Sequence, residues 1–132
     1  MKKSILLSIK PKYVNSILDG KKRFEFRKAI PKSEGIEEVY IYSSSPVQKI
    51  VGKFSLKNIL HASPQEIWEK CSRYGGISED DFFEYYRGRE EAYSLSITDL
   101  EIFEEAICPY NTFKKFTAPQ SFLYYDRLEL AN

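Results

Sequence analysis

Residues 20–27 read GKKRFEFR, a glycine followed by a stretch in which charged and aromatic side chains alternate. Because successive side chains of a β-strand point to opposite faces of a sheet, this alternation predicts a strand with two unlike faces. We expect Phe24 and Phe26 to point into the hydrophobic core. The opposite face would carry a charged row: Arg23, Glu25 and Arg27, with Lys22 at its mouth. The stretch therefore predicts a charged row that starts beside a glycine turn.

Patterns on either side of this stretch predict further strands and helices. The predicted strands span residues 5–9, 23–30, 39–42, 49–60, 92–97, 100–107 and 122–125. The predicted helices begin at Pro11, Ser63 and Ser78 and stop at Gly20, Gly75 and Gly88. Serine or proline at the start of a helix and glycine at its end are typical capping residues.

The order of these elements is strand, helix, three strands, two helices and three strands. Helices are thus inserted between runs of strands, which argues against a doubly wound parallel sheet. The pattern predicts an α+β fold, a small mixed or antiparallel β-barrel with flanking helices. Within strand 49–60, Gly52 predicts a bulge or a close approach of two backbones, and residues 109–120 predict a long loop.

The composition is typical of one globular domain that covers residues 1–132. Hydrophobic residues make up 42% of the chain and charged residues 30%, which is enough for a core and excludes a disordered chain. Neither Cys71 nor Cys108 belongs to a CxxC pair and His61 is the single histidine, so we expect no metal and no cofactor. We recognise no signal peptide and no apolar run long enough for a membrane span, so we expect a cytoplasmic protein without membrane contact.

Charged residues are unevenly distributed, although the net charge is only +1. Residues 1–32 contain ten lysines and arginines against two acids, a net charge of +8, whereas residues 77–105 have a net charge of −8. This asymmetry predicts one positive face that is able to attract an anion. Two other interpretations stay open: the two segments pack together and neutralise each other, or the acidic helix at residues 80–91 binds another protein.

The predicted charged row suits the binding of anionic oxygens. A guanidinium group bonds phosphate or carboxylate through two parallel N–H donors, and Glu25 is able to orient an arginine or accept protons from a base edge. The candidates for catalysis are Lys22, as an activated amine or electrostatic clamp, and Glu25, as general acid or base. The alternative is a solvated strand face whose internal ion pairs contribute little to stability.

A polar loop and two tyrosines are further candidates for ligand contacts. Residues 43–45 are all serine and would form a hydrogen-bonding rim for a base or phosphate, or else a simple polar turn. Tyr42 and Tyr125 offer rings on which a base would stack, or they belong to the core. The full set of candidate ligand-binding residues is Lys22, Arg23, Glu25, Arg27, Tyr42, Ser43, Ser44, Ser45 and Tyr125.

The chain resembles the ASCH domain family. Its signature, G-x-K-x-x-E-x-R, is matched within residues 20–27 by Gly20, Lys22, Glu25 and Arg27. The residues before this signature, SIKPKY at 8–13, also resemble the family. So do VYIYSSSP at 39–46, IVG at 50–52 and APQSF at 118–122, which resemble its later strands, pocket loop and C-terminal segment. The resemblance covers nearly the whole chain.

This resemblance implies a PUA-like barrel with a cleft lined by the signature, and RNA or a modified nucleoside as ligand. One branch of the family hydrolyses acetylated cytidine with a lysine and a threonine of this strand. Lys22 matches that lysine, but Glu25 stands at the threonine position and cannot supply the hydroxyl nucleophile. Another branch is a metal-dependent ribonuclease, with which Lys22, Glu25 and Arg27 are compatible. We therefore expect an RNA- or nucleotide-binding protein, with a hydrolase of RNA or a modified nucleoside and a protein-interaction module as alternatives.

Overall fold

The computed structural model describes residues 2–131, which form an α+β fold of eight strands and four α-helices. The strands are β1 (Lys3–Ile9), β2 (Phe24–Arg27), β3 (Ile36–Ser43), β4 (Lys49–Ser55), β5 (Ile59–Ala62), β6 (Ala92–Ser96), β7 (Thr98–Ile107) and β8 (Phe122–Tyr124). The helices are α1 (Pro11–Leu18), α2 (Pro64–Cys71), α3 (Glu79–Tyr85) and α4 (Pro109–Thr112), with 3-10 turns at Ser72–Tyr74 and Tyr125–Arg127. None of the helices in this range has the length and apolar character needed to cross a bilayer.

The strands form two sheets. One has five strands in the order β7-β4-β3-β1-β8 and is mixed, because β1 runs parallel to β3 while the other pairs are antiparallel. The other has three antiparallel strands in the order β2-β6-β5. The α+β class and the mixed strand directions agree with the sequence prediction. A closed barrel is not among the pairings within residues 2–131, so the barrel stays a prediction.

Three clusters of buried side chains hold these elements together. The largest joins the two sheets and α1, with Leu95 of β6 packed among residues of β1, β3 and β4. The second lies under α2 and α3, where Phe82 and Ile67 pack against Phe26 of β2. The third, built around Leu6, Tyr42 and Ile50, also contains aromatic residues that follow α4. Each fully buried aliphatic or aromatic side chain contributes about 1.5–3 kcal/mol, so these clusters fix how the sheets and helices meet.

The predicted caps of α2 and α3 are confirmed. The Ser63 hydroxyl accepts a hydrogen bond from the Glu66 backbone N–H at 3.2 Å, and the Ser78 hydroxyl accepts one from the Asp81 backbone N–H at 3.1 Å. Such caps satisfy backbone N–H groups that have no partner inside the helix. The Ser78 cap matters for the site, because it fixes where the first turn of α3 begins.

Several predicted boundaries are wrong. The strand predicted at 49–60 is two strands in different sheets, because the chain turns at residues 56–58 after β4 and pairs again as β5 with β6. The strand predicted at 23–30 begins at Phe24 and ends at Arg27. The loop predicted at 109–120 contains the short helix α4, which starts with Pro109 at a position where a missing N–H costs nothing.

Gly52 lies where β4 and β7 come unusually close, as the sequence predicted. The register of the pair shifts between Ile50 and Gly52. A Cβ atom at Gly52 would lie 2.5 Å from the carbonyl oxygen of Glu101, so only glycine fits this contact without displacing β7.

Candidate functional site

A cleft of about 550 Å³ lies where the end of β1, the start of α1, β2 and α3 meet. This volume is within the usual range for sites that bind small molecules. The polar and charged side chains that line it are Ser8, Lys10, Lys12, Lys22, Glu25, Arg27, Ser44, Asp81, Glu84 and Gln120, with the rings of Tyr13, Phe26 and Tyr85 beside them. Residues far apart in sequence thus build one concave surface.

Lys22, which the sequence predicted at the mouth of the charged row, forms a buried part of this cleft. Its residue surface is only 3% exposed, and its Nζ donates a hydrogen bond of 2.6 Å to the carbonyl oxygen of Gly75. The ammonium group lies 4.6 Å from the centre of the Phe26 ring and 5.4 Å from that of Tyr13. Cation–π attraction to these rings offsets part of the desolvation of the charge.

Burial lowers the pKa of Lys22 below its ordinary value of 10.5. The negative charge of Glu25 opposes this effect, while the positive charge of Arg27 adds to it. An ammonium group has three N–H donors, and the Gly75 carbonyl takes one of them. The other two donors form no hydrogen bond within the described part of the chain.

Glu25 and Arg27 lie beside Lys22 as a nearly buried ion pair. The Nε of Arg27 is 3.2 Å from a carboxylate oxygen of Glu25, and their side chains are 11% and 8% exposed. That Nε makes no hydrogen bond of good geometry in the described part of the chain, so the pair is held by charge rather than by an aligned bond. Arg27 also donates from Nη2 to the Ser8 carbonyl at 3.0 Å, which ties β2 to the end of β1.

Arg23 does not share the face of Glu25 and Arg27, so that part of the predicted row is wrong. It precedes β2, and its backbone N–H bonds the Tyr74 carbonyl at 2.7 Å instead of a neighbouring strand. Its guanidinium carbon lies 4.3 Å from the centre of the Tyr74 ring, outside the cleft. Strand alternation does not apply to a residue that lies before the strand.

The serine loop contributes one residue to the cleft lining. Ser44 lines the cleft, Ser43 is buried within β3, and Ser45 is exposed outside the lining. The predicted rim of three hydroxyls therefore reduces to one, because the last residue of β3 still points into the protein.

Of the two candidate tyrosines, Tyr42 lies in the third buried cluster and the half-buried Tyr125 packs against that cluster, and neither lines the cleft. Tyr42 is fully buried, its hydroxyl is 3.2 Å from that of Tyr110, and burial raises its pKa above the ordinary value. Tyr125 stacks on Tyr40 at 3.7 Å between ring centres, and burial raises its pKa to about 12. Of the two interpretations, packing in the core matches their positions.

Sequence reasoning did not assign α3 to the cleft. Asp81, Glu84 and Tyr85 lie on its inner side, and burial raises the pKa of Tyr85. The sequence did predict a helix that starts after the Ser78 cap with several acidic residues. Nothing in the sequence showed which strand the first turn of this helix would face. The position of α3 also brings the basic and acidic segments of the chain together at one point. In the described part of the chain, Lys12 and Asp81, 3.6 Å apart, form the one ion pair between residues 1–32 and 77–105.

The cleft keeps positive charge that its own acids do not neutralise. Each acid of the lining has a cationic partner: Glu25 with Arg27, Asp81 with Lys12, and Glu84 with Arg87. Within residues 2–131, neither Lys10 nor Lys22 forms an ion pair, although both line the cleft. The same range has no group of three or more histidine, cysteine, aspartate or glutamate side chains placed to hold a metal ion.

Comparison with known proteins gives the same family that the sequence suggested. The profile of the ASCH domain matches residues 7–125. The ASCH domain-containing ribonuclease of Zymomonas mobilis is 29% identical over 98 residues, which are 74% of this chain and 66% of that protein. The large ribosomal subunit protein uL22 of Ureaplasma parvum is 31% identical over 93 residues, 70% of this chain but only 30% of its own length. The match thus spans less than two thirds of either relative.

Solved structures show the same fold. The crystal structure of the ASCH protein from Zymomonas mobilis superposes with a TM-score of 0.84 at 25% identity, over 95% of this chain and 89% of that one. A single-residue variant of that protein gives a TM-score of 0.85 at 25% identity, over 96% and 90% of the two chains.

Proposed function

This chain belongs to the ASCH domain family, and from that premise we propose that it binds RNA, or a nucleotide, in the cleft formed by Lys22, Glu25 and Arg27. The observation that supports this proposal most is the buried ammonium group of Lys22, which bonds a carbonyl oxygen and, within residues 2–131, forms no ion pair with a carboxylate. Glu25 is paired with Arg27, so the three nearly buried groups keep a net charge of +1, which is costly for the free protein. An anionic ligand would supply the missing negative charge.

Phosphate is the anionic group that this site suits. Lys22 offers its free N–H donors, and Arg27 offers N–H groups that its contacts with Glu25 and Ser8 do not use. Tyr13 and Phe26 add ring surface beside these donors. Single-stranded RNA presents both phosphate oxygens and unstacked bases, and proteins bind it by pairing cationic side chains with aromatic ones. The family relation to a protein named as a ribonuclease supports the choice of RNA.

Substitution of Arg27 by glutamine tests this proposal. We expect the wild-type chain to bind a short single-stranded RNA at low salt, and Arg27→Gln to bind it roughly ten-fold more weakly, because a charge-assisted contact with phosphate is lost. Fluorescence anisotropy over a series of salt concentrations measures both the affinity and its salt dependence. Arg89→Gln is the matched control, since Arg89 is exposed and outside the cleft lining. Undetectable RNA binding by the wild type, or equal affinity of the Arg27 variant, would show that the proposal is wrong.

Hydrolysis of RNA is a second candidate function. The 29% identical relative named as a ribonuclease favours it, as does the lowered pKa of Lys22 beside Glu25. An amine closer to neutrality and a neighbouring carboxylate are the groups that acid–base catalysis requires. In this scheme Glu25 accepts or donates a proton, and Lys22 and Arg27 stabilise negative charge that develops on phosphate.

Turnover measured on short RNAs and on acetylated cytidine, with and without a divalent cation, tests this second function. We expect RNA fragments from the wild type and at least ~100-fold less product from Glu25→Gln, the usual range for loss of a general acid or base. Glu129→Gln, at an exposed ion pair with Lys114, should retain the wild-type rate. If the wild type cleaves none of these substrates under any condition, binding without catalysis remains the function.

A further inference from the structure

Two arginines converge on one exposed tyrosine just outside the cleft. The guanidinium carbon of Arg23 lies 4.3 Å from the centre of the Tyr74 ring, and that of Arg73 lies 5.5 Å from it. Both arginines are exposed, and Tyr74 is 37% exposed. Because both contacts are with the same ring, the two guanidinium carbons lie no more than 9.8 Å apart at the surface.

Neither of these guanidinium groups is neutralised. Within residues 2–131, the arginines that form ion pairs are Arg27 and Arg87. Like charges held close together repel each other and raise the local positive potential. A guanidinium stacked on a ring also keeps its in-plane N–H donors free for bidentate bonds to phosphate. The arrangement thus presents unsatisfied donors and charge to solvent.

This surface is joined directly to the wall of the cleft. Lys22 and Arg23 are consecutive, and they bond to consecutive residues of the other segment. Lys22 Nζ donates to the Gly75 carbonyl, and the Arg23 backbone N–H donates to the Tyr74 carbonyl. The cleft and the surface around Tyr74 are therefore adjacent, separated by these two backbone segments. A chain ligand that leaves the cleft over this wall meets Arg23 and Arg73.

We propose that Arg23, Tyr74 and Arg73 form a clamp for a phosphodiester group of single-stranded RNA, next to the nucleotide in the cleft. The inference rests on the proposed function, since it requires RNA in the cleft. The two guanidinium groups bond the phosphate oxygens, and the Tyr74 ring holds both in place. The clamp recognises the backbone, so it adds affinity without sequence preference. A mononucleotide is too short to reach it.

The test compares the wild type with Arg23→Ala/Arg73→Ala. Anisotropy with a labelled oligouridylate measures RNA binding, and calorimetric titration with uridine monophosphate measures binding in the cleft alone. We expect the double variant to bind the oligouridylate roughly ten- to one hundred-fold more weakly. The slope of log affinity against log salt should fall by about 0.7 for each arginine removed. Affinity for the monophosphate should not change.

Arg127→Ala is the matched control, because Arg127 is stacked in the same way on Tyr124, at 4.1 Å. Tyr124 pairs with Ile5 in the middle of β1, away from the β1 end that borders the cleft. The clamp would be overturned if the wild type and the double variant had the same oligouridylate affinity and the same salt slope. It would also be overturned if Arg127→Ala lost as much oligouridylate affinity as the double variant loses for each arginine removed. Failure of the proposed function looks different: the wild type would then bind neither the monophosphate nor the oligouridylate.

Discussion

Replacing Lys22 with methionine is expected to weaken RNA binding by roughly one hundred-fold while the free protein becomes slightly more stable. Methionine has nearly the length of lysine but no charge, so it should fill the same space between Tyr13 and Phe26. RNA affinity falls because two charge-assisted hydrogen bonds to phosphate disappear. Titration with labelled RNA measures the affinity, and urea denaturation measures the free energy of unfolding.

The same substitution is expected to raise stability while it lowers RNA affinity, because the charge that it removes is buried. Removing this buried cation relieves a desolvation cost of several kcal/mol, although it also removes the attraction between the ammonium group and Glu25. Leaving the Gly75 carbonyl without its donor costs about 1–3 kcal/mol in return. We expect a net gain of about 1 kcal/mol. Lys22→Met that binds RNA as the wild type does, or that unfolds at a clearly lower urea concentration, would contradict this account of Lys22.

Because the pKa of Lys22 is lowered, both the free energy of unfolding and the RNA affinity are expected to depend on pH. In the unfolded chain the amine keeps its ordinary pKa of 10.5, whereas in the folded chain burial lowers that pKa. The unfolded state therefore binds more protons between the two values, and the free energy of unfolding rises as pH increases through this window. Affinity for RNA falls over the same window, because the ammonium charge is lost. Lys22→Met should lack both trends, and Lys22→Arg should keep its affinity because arginine stays charged.

Replacing Gly76 with alanine is expected to destabilise the protein by about 2–4 kcal/mol. Gly76 has a φ of +63°, and a Cβ atom there would lie 2.5 Å from Cβ of Lys22 and 2.9 Å from its Cγ. Two costs add: the left-handed backbone conformation disfavours any side chain, and the overlap must push Lys22 or the segment after Gly75 away. Because the displaced residue is Lys22, RNA affinity should fall together with stability.

Gly88→Ala separates the two costs. Gly88 also has a positive φ, +77°, but a Cβ atom there would meet nothing within 4 Å. We expect Gly88→Ala to cost about 1–2 kcal/mol, the price of the backbone conformation alone, and to leave RNA affinity unchanged. Urea denaturation of both variants gives the difference that belongs to the contact with Lys22. Equal destabilisation of the two variants, or unchanged RNA affinity of Gly76→Ala, would mean that Gly76 does not position Lys22.

Local features of the fold were predictable because they depend on neighbouring residues. The caps at Ser63 and Ser78 follow from hydroxyls placed next to free N–H groups, and the strand from Phe24 to Arg27 follows from alternation. The split of residues 49–60 into β4 and β5 was missed, because both halves have strand-like sequences and only their pairing with different sheets separates them. The depth of Lys22 was missed for a similar reason: its partner, the Gly75 carbonyl, is 53 residues away.

By itself the sequence determined the family, the α+β class and the charged residues that alternate along β2, since each of these depends on residue type and spacing along one segment. Only the tertiary structure decided which charges meet. It buried Lys22 beside Glu25 and Arg27, and it turned Arg23 away toward Tyr74. It also brought α3 to the cleft and placed Tyr42 in the core, with Tyr125 packed against it. The physical reason is that burial and electrostatic partners depend on segments that are distant in sequence, and their packing sets both the pKa of Lys22 and the shape of the cleft.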